Sequence, residues 1–580
     1  VNSLVYMLLA AAGYLLAYRL YGRFLGRRIF ELSNRNRMPA HRFRDDVDYI
    51  PSKRHIVLGH HFTTIAGLGP IVGPAIGIIW GWLPATLWVI FGSIFLGAVH
   101  DFSAMVMSAR HRGRTLGDLT GDLLNPTTRH AFQLIIQFLL WIVVAIFAMI
   151  MGILFTMYPQ SVLPIWLQIP IAVWLGRRLY RGENDTFQSL VALVLMYLSI
   201  GLGLYFPITV PPIAGSPIVT WTLILLAYAF IASTLPVHVL LQPRDYINSN
   251  QLLIAMALLT LGLCVAHPPL TAPALNPAAF APGTDIPPLF PLLFITIACG
   301  AISGFHSLAA SGTVVKQIDK EEDMLAIGYG GMLIEGLLAA LALAAIAGGM
   351  GMGLVKGEVL YTGAEAFRVH YASWASAQGM AAMIEAFVVG AANLLGALGI
   401  PPELGKSLIA VFIVSFAGTT LDSATRIQRL SLQEIFRNRE GVVMRPLHNN
   451  YAATLVVVVM AAALCFAQPG AKGALVLWPM FGALNQLLAA LGLTVATVYL
   501  AKKGKNILIT FLPMLFMLVM TTWAMAINLR DFYARGNMLL FSLSVVILLL
   551  TLWLLIGAAC SLRGGQRTHL NEDLAPEPGE

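Results

Sequence analysis

Charge is what this sequence has least of. Asp, Glu, Lys and Arg make up 11% of its 580 residues, against about 25% in an ordinary soluble domain. Hydrophobic residues account for 58%, and the mean hydropathy is +0.77. A water-soluble globule could not hide that much apolar surface, so the bilayer must be the solvent for most of the chain. That excludes a soluble enzyme, a nucleic-acid binder and a disordered scaffold. Cysteine is scarce as well. Cys264, Cys299, Cys465 and Cys560 sit within or at the ends of apolar runs and form no CxxC pair, so neither a disulfide framework nor a thiolate metal site is supported. There is no Walker A motif and hence no sign of ATP-driven transport. Period-two alternation is missing from the apolar runs, which excludes a β-barrel. What is left is a polytopic all-α membrane protein.

Roughly 20 apolar residues cross the hydrocarbon as a helix. That rule predicts about fifteen spans, near 3–20, 56–80, 84–107, 131–157, 163–177, 187–207, 219–241, 250–267, 289–312, 325–349, 405–425, 451–467, 474–499, 506–527 and 539–561. Residues 4–17 lack an A-x-A cleavage site and are read as part of a retained first helix. With the N-terminus outside and 377–399 not crossing, thirty of the 36 Lys and Arg fall on the cytoplasmic side, as the positive-inside rule requires. Were 377–399 to cross, Arg426, Arg429, Arg437, Arg439 and Arg445 would move outside. This segment, which carries Glu385 and Asn393, is therefore expected to form part of an outer or re-entrant helical hairpin.

Two spans are poorly suited to being plain helices. HHFTTIAGLGPIVGPAIG holds Gly67, Gly69, Pro70, Gly73 and Pro74 within eight residues, and Gly and Pro cost about 1 and 3 kcal/mol in a helix interior. CGAISGFHSLAASGTVVK holds Gly300, Gly304, His306, Ser307, Ser311 and Gly312. Unwound backbone at membrane depth survives only when buried in protein or lining a cavity, and paired broken helices point to the binding site of a secondary transporter. The predicted topology runs these two spans in opposite directions, as an inverted repeat needs. Close helix packing by small residues is the bland alternative.

Ionisable residues inside spans are functional candidates by default. Asp422 follows Thr419 and Thr420, a set that suits Na⁺ coordination or a transferable proton; pairing with Arg426 one turn on is the structural alternative. Glu335 has no local cation and reads as a proton carrier. Asp101 can pair with an Arg or bond to a neighbouring helix, and His306 is a candidate substrate or proton contact. Asn485 and Gln486 read as helix glue. The stretch from Asp45 to His61 gathers three Asp and three His, which makes Asp48, His60 and His61 weak metal candidates. No HExxH spacing is present, however, and adjacent histidines cannot face one site on a regular helix. Hydrogen bonding at the cytoplasmic mouth is the alternative.

The runs GHHFTTIAGLGPIVGPAIG, GAVHDF…SARHRGRTLGD, LLQPRDYINS, ISGFHSLAASGT…KQI, TTLDSATRIQRLSLQE and FGALNQLLAAL, spread from about 46 to 500, resemble the carbon starvation protein A (CstA) family. The resemblance implies a non-enzymatic, multi-pass protein of the bacterial inner membrane, in which the orientation set by the basic residues puts the N-terminus in the periplasm and the C-terminus in the cytoplasm. It would take up short peptides or pyruvate by H⁺- or Na⁺-coupled symport when carbon is scarce, with no cofactor and no nucleic-acid partner. It further implies a LeuT-like five-plus-five inverted repeat with additional helices. On that plan 1–54 is an N-terminal helix and basic segment, 55–210 the first repeat and 211–288 an inserted helix pair with an outer loop. Residues 289–500 form the second repeat, with the hairpin at 350–404, and 501–580 the last two helices and tail. By position, Ala66, Gly67, Leu68, Gly69, Gly304, Phe305, His306 and Ser307 would bind substrate, and Thr419, Thr420, Asp422 and Glu335 the coupling ion. An intramembrane metal-dependent enzyme and a sensor or channel are the competing classes.

Overall fold

The computed structural model describes residues 2–437 and 443–563. Arg439 and Arg567, two of the charges assigned to the cytoplasmic face, lie outside the described residues, as does the expected tail beyond 563. Among the described residues the chain is helical apart from loops and one antiparallel hairpin. The first half contains α1 (Ser3–Ile29), α2 (Arg54–Ala66), α3 (Gly69–Gly77), α4 (Trp82–Arg110), α5 (Leu116–Leu123), α6 (Pro126–Met157) and α7 (Val162–Tyr180). After these come α8 (Asp185–Tyr205), α9 (Pro217–Thr234) and α10 (Leu241–Ala266). The second half holds α11 (Leu289–Thr296), α12 (Gly304–Gly312) and α13 (Leu325–Met352), followed by the hairpin β1 (Leu354–Lys356) and β2 (Val359–Tyr361). Then come α14 (Gly363–His370), α15 (Met380–Gly396), α16 (Pro402–Ile435), α17 (Asn450–Phe466), α18 (Trp478–Lys502), α19 (Leu508–Ala534) and α20 (Met538–Arg563).

Among the described residues, twelve helices or helix runs are long and apolar enough to cross a membrane. They sort into two shells. The α2–α3 run is 94% buried over its most apolar window, α13 89% and α6 83%, while α20 is only 28% buried; hydropathy does not sort the shells, since α6 and α20 are the two most apolar spans. Helix α6 packs along α16, α10 along α2, and α12 lies between α4 and α18. The segment 377–399 forms α15, 17 residues long, which packs on α16 and α3 and follows the β-hairpin and α14 in the connection between α13 and α16.

Both spans expected to break are broken. The first is interrupted at Gly67 and Leu68, where Gly67 takes φ +36°. The second is non-helical from 297 to 303, with Gly300 at φ +86°; both angles fall where residues with a Cβ are strained. The two breaks pack against each other. A Cβ on Gly69 would overlap Cys299, and one on Gly73 would lie 3.1 Å from the Thr296 carbonyl. One boundary differs from expectation. The polar residues 241–250 were expected to separate two spans, yet α10 runs unbroken from Leu241 to Ala266. Arg244, Asp245 and Asn248 are tolerated there because each finds a partner inside the protein.

Candidate functional site

Two buried polar centres flank the crossing of the broken helices. The first lies among α2, α7, α9, α10 and α16. Asp422 Oδ2 accepts hydrogen bonds from the Tyr228 hydroxyl (2.8 Å) and from Arg244 Nη1. Arg244 also donates Nε–H to Gln168 Oε1 (3.2 Å), and its Nη1 donates to the Tyr228 oxygen (2.6 Å). Gln168 Nε2 donates to Asn248 Oδ1 (2.5 Å), and Asn248 Nδ2 to Thr419 Oγ1 (2.7 Å). Asp245 meets His60 Nδ1 at 2.5 Å, and the Thr63 hydroxyl donates to its carbonyl (3.0 Å). Gly418 makes room for the guanidinium, since a Cβ there would overlap Arg244 Nη2.

Asp422 is therefore not paired with Arg426, the local alternative; Arg426 instead turns to Asp48 (2.9 Å) and the Leu235 carbonyl. Thr419 spends its hydroxyl on Asn248 and the Ser415 carbonyl. Thr420 Oγ1 is buried with no hydrogen-bond partner and faces the first break, 2.9 Å from where a Cβ of Gly67 would stand.

The second centre is built by α4, α12, α13 and the second break. Asp101 holds His100 Nδ1 (2.9 Å) on one oxygen and His306 Nδ1 (3.0 Å) on the other. Glu335 Oε1 accepts from the Gly300 amide (2.9 Å), and its Oε2 lies 3.5 Å from His306 Nε2. Neither of those last two atoms has a hydrogen-bond partner. The titratable groups acting on this trio among the described residues include His61, His100, Cys299, Tyr14 and one another, and none of those is a Lys or Arg. π-helical turns at Ser93–Gly97 and Leu325–Gly330 shift the register just ahead of Asp101 and Glu335; such bulges are frequent at functional sites.

The remaining candidates are placed as follows. Ala66, Gly67, Leu68 and Gly69 form the first break and its edges, and Gly304, Phe305, His306 and Ser307 the first turn of α12. The Phe305 amide at that helix start is taken by Asn485 Oδ1 (2.9 Å), while Gln486 donates to the Phe294 carbonyl (2.9 Å), which fits helix glue. Asp48, His60 and His61 do not come together as a metal site. Asp48 joins Arg426, and His60 joins Asp245 in the first centre. His61 lies near the second, in electrostatic range of Asp101 and His306. Among the described residues the metal-capable group is instead Cys299, His306 and Glu335, whose donor atoms lie within 4.8 Å of one another. Outside the spans, burial pushes the Asp48 carboxyl up, but Arg426, Lys316 and Arg429 outweigh it and hold it below the ordinary carboxylate range.

Sequence reasoning missed Arg244, Asp245, Asn248 and Tyr228. The signal was present in LLQPRDYINS, a polar run leading directly into an apolar span.

A sequence model of the family described as carbon starvation protein CstA matches residues 2–524. The chain is 34% identical over 552 residues to the peptide transporter CstA of Mycobacterium tuberculosis, covering 87% of this chain and 72% of that one. To the pyruvate/proton symporter BtsT of Escherichia coli it is 30% identical over 595 residues, covering 91% and 82%. Among solved structures it is similar to a manganese transporter of Eremococcus coleocola, with 12% identity, 90% and 99% coverage and a TM-score of 0.49.

Proposed function

The chain belongs to the carbon starvation protein CstA family, and on that premise we propose that it is a proton-coupled symporter bringing a short peptide or pyruvate across the bacterial inner membrane. The observation that carries the proton is the facing pair His306 Nε2 and Glu335 Oε2, buried, 3.5 Å apart and each without a partner. With Nδ1–H donated to Asp101, Nε2 presents a lone pair to a carboxylate, and two acceptors face each other. A proton on either atom supplies the missing bond. Without it, two carboxylates stay buried with only imidazoles and the Gly300 amide to offset them, which is costly. The centre thus has a loaded form and an unloaded form, and imidazole is the side chain suited to such a switch. Asp101 fixes the ring, as carboxylates orient working histidines elsewhere.

Substrate would sit where the breaks cross, lined by Ala66 to Gly69 and Gly304 to Ser307. The repeats 55–210 and 289–500 would rock about that point to alternate access. The N-terminus would face the periplasm and the C-terminus the cytoplasm. The unpartnered Thr420 hydroxyl beside Gly67 favours Na⁺ as a second reading for the coupling ion.

The test is uptake of labelled pyruvate and a labelled dipeptide into proteoliposomes under separate H⁺ and Na⁺ gradients. A proton gradient is expected to drive accumulation of one of them. Glu335→Gln should abolish accumulation while leaving substrate exchange measurable. Accumulation under a Na⁺ gradient alone would overturn the proton reading.

A further inference from the structure

Resting on that symport reading, we propose that Arg244 is the receptor for the substrate's carboxylate, and that Asp422 holds its place until substrate arrives. Arg244 lies on a helix that the repeat plan sets aside as an insertion, yet α10 runs along both α2 and α16. Its guanidinium is buried, and the sole acidic group bonded to it among the described residues is Asp422. A buried guanidinium is the side chain best suited to a carboxylate, because its planar fork can donate two parallel bonds.

Polar side chains continue from Arg244 along the seam between α10 and α16. Arg244, Asn248, Gln251 and Ala255 recur at helical spacing on one face of α10; Asp422, Thr419, Ser415 and Phe412 do so on α16. Gln251, Ala255 and Phe412 line a small crevice of about 30 Å³ where α8, α10, α15 and α16 meet, room for no more than a water or two. Along this seam the Ser415 hydroxyl is buried with no partner, and so is Oδ1 of Asp422, the carboxylate oxygen not bonded to Arg244. Hydrogen-bonding capacity thus lies unspent along the seam, where buried polar atoms are ordinarily satisfied.

Charge balance then couples substrate to proton. Arg244 and Asp422 together are neutral. A substrate carboxylate replacing Asp422 adds one buried negative charge, so Asp422 must take up one proton when it is displaced. The other ionisable groups facing it are Tyr228 from α9, Asp245 from α10 and Arg426 from its own helix, with His60 of α2 already on Asp245. None of these supplies a free cation. Pyruvate and peptides share the carboxylate, so one receptor serves both.

The experiment is counterflow exchange in proteoliposomes, with pyruvate and dialanine as substrates and pyruvamide and dialanine amide as competitors. For the wild type the acids should compete and the amides should not, and KM should rise about tenfold per pH unit where one proton is bound with substrate. Arg244→Lys should raise KM about 10- to 100-fold, the size of one charge-assisted hydrogen bond. Asp422→Asn should remove the pH dependence of KM. Arg244→Gln alone leaves Asp422 buried without its cation and is prone to misfold. The double variant Arg244→Gln/Asp422→Asn keeps a neutral hydrogen-bonded pair and should fold yet bind no acid. Amides competing as well as acids, or a folded double variant with wild-type KM, would overturn the assignment. Exchange of acids without proton-driven accumulation would overturn symport but not Arg244. No exchange by the wild type overturns both.

Discussion

The two buried centres hold similar numbers of carboxylates and differ in what neutralises them. Around Asp422 the neutralising group is Arg244, a permanent cation. Around Asp101 and Glu335 it is His306, whose charge comes and goes with a proton. A carboxylate bound to a permanent cation is stable until another anion competes for that cation. A carboxylate facing an imidazole is stable only while a proton is present. The first arrangement suits recognition of an anion and the second suits carriage of a proton. The adjacent His60 and His61 join the two: one belongs to the first centre, and the other lies near the second. Consecutive residues on a helix point in different directions, so the pair that could not serve one site serves two.

Breaking this contrast is most direct through stability. Asp422→Ala strands Arg244 in the interior and should cost about 3–5 kcal/mol. Glu335→Gln removes a charge with no permanent partner and should change stability by no more than about 1 kcal/mol. Thermal unfolding in detergent compares them, and equal losses would dissolve the distinction. The crossing between the centres is the next most sensitive point. Gly69→Ala would drive a Cβ into Cys299 and should cost about 1–3 kcal/mol as overpacking. Gly201→Ala in α8, with nothing within 4 Å of its Cβ position, is the neutral control.

The same contrast recurs outside the spans with smaller effects. Asp48 is compensated by Arg426, Lys316 and Arg429, and its carboxyl sits below the ordinary 3.8. Its contribution to stability is therefore complete above that value and is lost as pH falls through the folded one. Asp48→Asn should flatten the acid limb of the unfolding curve. His370 has no such help. Burial, aided by Lys356 and opposed by the Ala382 carbonyl, pushes it from 6.5 down to about 4. Between those values the unfolded chain binds a proton that the folded one does not, so stability falls as pH drops from 6.5 towards 4. His370→Gln should remove that slope, and a pH series of melting temperatures would show whether it does.

Composition together with the continuous, non-alternating apolar runs dictated a helical membrane protein, because helices and closed barrels are the two ways to satisfy a backbone in lipid and a barrel needs period-two alternation. Glycine clustering located both breaks, with proline beside it in the first, since those residues act on the backbone locally. Asp422, Glu335, Asp101 and His306 were visible as isolated polar residues in apolar runs. Their partners were not. Arg244 is 178 residues from Asp422, and Asp101 is 205 from His306, and pairing across such distances depends on how helices pack rather than on spacing along the chain. For the same reason the sequence could offer only Arg426 as a local partner for Asp422, as the alternative to ion binding, and gave the LLQPRDYINS segment to a connection between spans. Only the packed bundle decided which carboxylate meets a fixed charge and which meets a titratable one, because buried charge is tolerated only where tertiary contacts supply its complement.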